Sequence, residues 1–98
     1  MKIYISGKIT GTTDYMERFA RAEKHLRDAG FIPVNPAKVN GQLPPETTHS
    51  EYMVTSLAML EFCECIYMLD GWKTSPGANM EFGFALANDK KIYFEGEL

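Results

Sequence analysis

Apolar positions along this chain recur in two rhythms, and each rhythm predicts an element. Lys2 to Ser6 is β-rich, with Ile3, Tyr4 and Ile5 in a row before Gly7, which predicts a short buried strand. Tyr15, Phe19, Ala22, Leu26 and Ala29 then recur at helical spacing. Asp14 with Glu17 three residues on reads as a capping box at the start of that helix, and Gly30 as its C-cap. Phe31 to Asn35 predicts a second strand, placed at a sheet edge because Pro33 cannot donate a ladder bond. Pro36 to Thr47 shows no periodicity and reads as a long loop, either a binding loop or a mobile surface segment. Thr48 with Glu51 makes another capping box, opening a helix to Phe62 with Met53, Leu57 and Leu60 inward and Val54 and Ala58 widening that face. Cys65 to Leu69 is a continuous apolar run, as expected of a central parallel strand covered on both faces. A helix from Pro76 to Ala87 turns Ala78, Phe82, Ala85 and Leu86 inward; Asn88 and Asp89 break it. Lys91 to Phe94 is the last strand, before a short acidic tail.

Strands alternating with helices imply a parallel sheet with right-handed crossovers, hence helices on both faces: a three-layer α/β sandwich. With four strands the natural order is 2-1-3-4. The winding then reverses between the first and third strands, and ligands bind outside the carboxyl ends of strands at such a point. The whole chain, residues 1–98, reads as one domain.

Composition narrows the partners. A net charge of −3 and the absence of any Lys/Arg run exclude non-specific nucleic-acid binding. No stretch approaches the ~20 apolar residues of a membrane span, and the apolar start is too short for a signal peptide, so the expected location is the cytoplasm. Cys63 and Cys65, two apart, suit neither a structural disulfide nor a zinc site, and are read as buried core thiols. No metal or other cofactor is expected.

The chemistry concentrates in Leu69 to Glu81: the end of a buried strand, a glycine-marked turn and the start of a helix. Ser75 is a good N-cap, and Pro76 falls at the first helical position, where its missing N–H costs nothing. Gly77 and Ala78 leave the first turn nearly bare, so an anion could approach its free N–H groups. Glu81 lies one turn on. Helical side chains lean toward the N-terminus, which aims its carboxylate over that bare floor toward the turn. The plain alternative is a solvated surface carboxylate. The facing turn, Gly7-Lys8-Ile9-Thr10-Gly11, carries two glycines but neither the dinucleotide nor the P-loop spacing. Lys8 reads as a phosphate contact or a solvated lysine. Trp72 reads as a base-stacking ring or a subunit contact, and Asp70 as a site residue or a cap of the turn. His25 and His49 read as a helix-surface and a loop histidine.

Three stretches carry a family resemblance: Ile3 to Gly11, Val34-Asn35-Pro36-Ala37, and Ile66 to Glu81. Together they look like the DUF4406 family, which resembles nucleoside 2-deoxyribosyltransferases and deoxynucleoside 5′-monophosphate N-glycosidases. The resemblance implies a flavodoxin-like fold and cleavage or transfer at the N-glycosidic bond of a deoxynucleoside or its monophosphate. It implies Glu81 as nucleophile with Tyr4 beside it, Ser75 at a 5′-phosphate, and nucleotide contacts from Gly7, Lys8, Ile9, Thr10 and Gly11. Asp70, Trp72, Gly77 and Ala78 complete the expected nucleotide-binding set. It also implies a homo-oligomer, since the related enzymes complete their sites with a neighbouring subunit. One departure stands out. Those relatives usually carry an Asp where this chain has Ser56, so the alternatives are a nucleotide-binding module without turnover and a self-associating structural domain.

Overall fold

Every strand of the sheet is short and paired in parallel, in the order β2-β1-β3-β4, in a computed structural model that describes residues 1–98. The elements are β1 (Lys2–Ser6), α1 (Tyr15–Asp28), β2 (Ile32–Val34), α2 (Pro36–Asn40), α3 (His49–Glu61), β3 (Cys65–Met68), α4 (Pro76–Ala87) and β4 (Lys91–Phe94), with a 3-10 turn at Trp72–Thr74 before α4. This is the α/β sandwich and strand order that the periodicity implies. No helix is long and apolar enough to cross a membrane.

The pleat sorts side chains between two cores. Successive residues of a strand point to opposite faces, so Ile3, Ile5, Cys65 and Tyr67 meet Phe19, Ala22 and Leu26 of α1 on one face. On the other face Tyr4, Ile66 and Met68 pack with Leu60 of α3 and with Ala78 and Ala85 of α4. Tyr4 and Ser6 therefore both look toward α3 and α4, and both are fully buried. Register sets their depth: Tyr4 lies opposite Ile66, and Ser6 opposite Met68.

Local chemistry explains most element ends. Thr48 and Glu51 form the expected reciprocal capping box of α3. Gly30 leaves α1 with φ +94°, a left-handed value that only glycine adopts without strain. Pro33 sits on the edge strand, as its missing N–H requires.

Four local expectations are corrected. Asp14 caps nothing with its side chain; the carboxylate is drawn instead to Arg18, at 3.2 Å. Ala29 lies past the end of α1 and is exposed. The segment after Pro36 opens as helix rather than loop, because the Asn35 side chain accepts from the Ala37 and Lys38 N–H groups and Pro36 takes the first helical position. On the outer helices Val54 is 72 % exposed, Ala58 and Leu86 also face outward, and Ser56 turns inward in their place. An α3 face of Met53, Ser56 and Leu60 follows the same helical period, displaced by part of a turn.

Candidate active site

The two strands flanking the reversal of winding, β1 and β3, end in the turns beginning at Gly7 and Leu69. Close approach shapes the first of them. A Cβ on Gly7 would stand 3.0 Å from the Cβ and Cδ1 of Leu69, so only glycine lets the turns pass this tightly. Arg18 braces the first turn by donating to the Lys8 carbonyl at 2.7 Å, and Thr12 by donating to the Ile9 carbonyl. Asn79 braces the second, its amide donating to the carbonyls of Trp72, Lys73 and Ser75. Lys8 links the turns through a 3.3 Å hydrogen bond to the Thr74 hydroxyl.

Between these turns lies a cavity of about 370 Å³, enough for a nucleoside-sized ligand. Tyr4, Gly7, Lys8, Ile9 and Thr10 line it from the β1 side; Ser75, Gly77, Ala78 and Glu81 line it from α4. Ser75 is the N-cap of α4, its Oγ accepting from the Ala78 N–H at 3.2 Å. The adjoining Gly77 N–H belongs to the first turn, where no intrahelical acceptor exists.

Glu81 is 7 % exposed. Its Oε2 accepts from the Tyr4 phenol at 2.6 Å and its Oε1 from the Ser6 hydroxyl at 2.6 Å. Both oxygens are thus held by donors from one face of β1, and each keeps a free lone pair. Burial pushes the Glu81 carboxyl up to about 7, against the opposing pull of the Ser6 and Tyr4 hydrogen bonds. The same burial, and then the adjacent negative charge of Glu81, raise the Tyr4 phenol well above its ordinary value, so Tyr4 remains a donor. The nearby Ser56 side chain partly offsets that rise. Ser56 also accepts from the Asn40 amide nitrogen at 3.0 Å. The Asn40 amide oxygen has no hydrogen-bond partner and is shielded from solvent, a state that costs about 1–3 kcal/mol.

Three expected site residues stand apart from this cavity. Gly11 is exposed beyond the first turn. Asp70 is exposed, and its backbone N–H donates to the Glu95 carboxylate. Trp72 stacks on Phe82 with ring centroids 4.8 Å apart, tilts against Phe94, and with Asp70 borders a separate shallow hollow. The cause is the 3-10 turn, which follows left-handed Gly71 and carries the indole to the β4 side of α4.

Several contributors carried no local signal. Ser6 reads as an ordinary strand end; only the pleat, which sets it two residues from Tyr4 on the same face, could have marked it. Asn40 was hidden in the apparent loop. His49 is the first residue of α3, not a loop histidine, and lines the cavity beside Gly77. Tyr15 and Tyr52 add phenols to the wall. Glu81 is the sole carboxylate among the lining residues.

Fold and site together define an α/β domain with a buried, doubly hydrogen-bonded carboxylate in the cavity at its reversal of strand order. By sequence the chain belongs to the DUF4406 family, described as a domain of unknown function, which it matches over residues 1–94. No curated protein matches it. Among solved structures it is similar to a 2-deoxyribosyltransferase from the psychrotolerant bacterium Bacillus psychrosaccharolyticus, with a TM-score of 0.76 and 17 % identity over 100 % of this chain and 76 % of that one. That likeness establishes a shared fold.

Proposed function

We propose that this protein cleaves or transfers at the N-glycosidic bond of a 2′-deoxynucleoside or its 5′-monophosphate, with Glu81 as the nucleophile. The observation that carries the reading is the Glu81 carboxylate, buried at the cavity wall and held by Tyr4 and Ser6. The fold shared with a 2-deoxyribosyltransferase supports the substrate class.

As the bond from C1′ to the base nitrogen breaks, its electron pair leaves with the base and positive charge grows on the sugar. A Glu81 oxygen closes on C1′ to form an ester, while the Tyr4 and Ser6 donors keep the carboxylate in place. Water then hydrolyses the ester, or a second base takes the sugar. A value near 7 suits this carboxylate to neutral pH, because a substantial fraction is ionised there and the growing charge on the sugar draws out the rest. Lys8, the Ser75 hydroxyl and the Gly77 N–H form the anion-accepting end of the cavity, where a 5′-phosphate is placed.

One observation favours a second reading, a nucleotide-binding module without turnover. The cavity wall holds no carboxylic acid besides Glu81 to protonate the departing base, and Ser56 occupies the place where such an acid is expected. One experiment separates the two. The protein is incubated with the four deoxynucleosides and their monophosphates, and released base is followed by chromatography. Base released by wild type and not by Glu81→Ala supports the enzyme. Binding without release supports the module.

A further inference from the structure

Three donors without acceptors meet where α3 and α4 begin, on the wall of the cavity. The Ser75 Oγ accepts from the Ala78 N–H, but its hydroxyl hydrogen has no acceptor in the protein, although the residue is only 8 % exposed. Pro76 has no N–H, and the Gly77 N–H lies in the first turn of α4, where no intrahelical acceptor exists. The third donor is the imidazole of His49, whose Cε1 stands 3.6 Å from the position of a Gly77 Cβ. Of the two histidines only His25 has its ring hydrogen-bonded, to the Leu98 carbonyl.

Helical period puts His49 there. His49, Met53, Ser56 and Leu60 recur along one stripe of α3, and the Met53 Sδ lies 3.2 Å from the same Gly77 Cβ position. A bare Gly77 is what lets the first turn of α3 rest on that of α4. At the other end of the stretch Lys8 reaches the Thr74 hydroxyl at 3.3 Å. Thr74 to Gly77 is thus flanked by a lysine, which is a permanent cation, and a histidine, which is a conditional one. No anion of the protein neutralises either. Glu51 of α3 is turned to the Thr48 N–H, Lys38 of α2 is drawn to Glu23, and Glu81 is held by Tyr4 and Ser6. The other titratable groups on the wall are the phenols of Tyr4, Tyr15 and Tyr52. Gly77 and Glu81 are one helical turn apart, ~5.4 Å along the axis. That is the reach from an anomeric carbon across a furanose to its 5′ substituent.

We propose that His49 selects a 5′-monophosphate over the free nucleoside, and does so only while protonated: its imidazolium and the Lys8 ammonium each take a phosphate oxygen, and Ser75 and Gly77 donate to the third. The protonated ring donates from both nitrogens and adds charge, whereas the neutral ring donates from one. A phosphate that prefers the charged ring must raise its proton affinity, so by linkage the preference weakens as pH rises. The inference rests on the nucleotide reading of the site and adds to it the residue that reads the phosphate.

Glu81→Gln is the background for the test, because it blocks turnover and removes the carboxyl that also titrates near neutral pH, at about 7. Calorimetric titration follows the four 2′-deoxynucleosides and their 5′-monophosphates between pH 6.5 and 8.5, where the phosphate is mainly dianionic. At pH 6.5 a monophosphate is expected to bind about tenfold or more tighter than its nucleoside, and the preference to shrink severalfold by pH 8.5. Adding His49→Gln should remove that pH dependence, whereas Lys8→Gln should lower the preference equally at every pH. Proton NMR serves if His49→Gln fails to fold. The His49 ring signal, identified by its survival in His25→Gln, should titrate at higher pH with the monophosphate than with the nucleoside. A pH-dependent preference that persists in His49→Gln, a ring signal unmoved by the monophosphate, or equal binding of both ligands overturns the proposal with the nucleoside reading intact. A loss in His49→Gln that is equal for both ligands places the ring against sugar or base, and overturns it too. Failure to bind any of the ligands overturns the nucleotide reading, and this inference with it.

Discussion

The Tyr4 phenol on β1 donates to the Glu81 carboxylate on α4 at 2.6 Å, joining two residues 77 positions apart. Both are buried, and the contact ties the central strand to the helix that follows β3. The pair has a stability side and a reactivity side, and these oppose each other.

Glu81→Gln is expected to abolish base release and to stabilise the fold above neutral pH. In the unfolded chain the carboxyl returns to its ordinary value of 4.5, whereas in the fold it stands at about 7. Between those values the unfolded chain has lost a proton that the native state retains, so stability falls as pH rises through that window. Below it there is no penalty. Above it the penalty is complete, at about 3 kcal/mol. Thermal melts from pH 4 to 9 check this: wild-type Tm should decline across the window relative to the variant, and parallel curves would refute it.

Tyr4→Phe removes one of the two donors that hold the carboxylate ionised. The Glu81 value should move further up, and the acid limb of kcat/KM, expected near 7 in wild type, should shift to higher pH. Turnover at neutral pH should fall about tenfold or more. A pH–rate profile reads both effects. A lower rate with the limb unmoved would mean that Tyr4 only packs against the site.

Gly7→Ala places a methyl 3.0 Å from the Leu69 Cβ, an atom next to the backbone that cannot swing away. The expected cost is about 1–3 kcal/mol in urea unfolding. Gly83→Ala is the matched control. It lies within α4 with nothing near its added methyl, and should stabilise by about 0.5–1 kcal/mol.

Asn35→Ala removes the cap of α2 together with its hydrogen bond to Glu23. The expected loss is about 1 kcal/mol. Amide exchange at Ala37 and Lys38 should speed up, because those are the two N–H groups that Asn35 holds. Unchanged exchange there would mean that α2 stands without its cap.

Trp72 and Ser6 show where local reading gave out. Trp72 lies two residues before Thr74 and three before Ser75, which do line the cavity, so proximity in sequence pointed it at the ligand. Its direction was set instead by the 3-10 turn and by stacking on Phe82 and Phe94, one of which lies in the next helix and the other in the last strand. Ser6 failed in the opposite sense. Its local context is that of a strand end, and its partner lies 75 residues away. Asn35 with Pro36, by contrast, carried a legible cap that the short length of α2 concealed.

Strand and helix periods, the Thr48 and Ser75 caps, the edge position of Pro33 and the parallel order of the sheet were all determined by the sequence itself. Each depends on residues within a turn or two of one another, or on the handedness that every L-amino-acid chain shares. The spacing of Gly77, Ala78 and Glu81 likewise aimed the carboxylate toward the turn. Burial of Glu81, its two hydroxyl partners and the proton affinity that results were decided only in the folded chain. They require the pleat of β1, the register of β1 on β3 and the seating of α4 to coincide, and no short stretch of sequence encodes that coincidence.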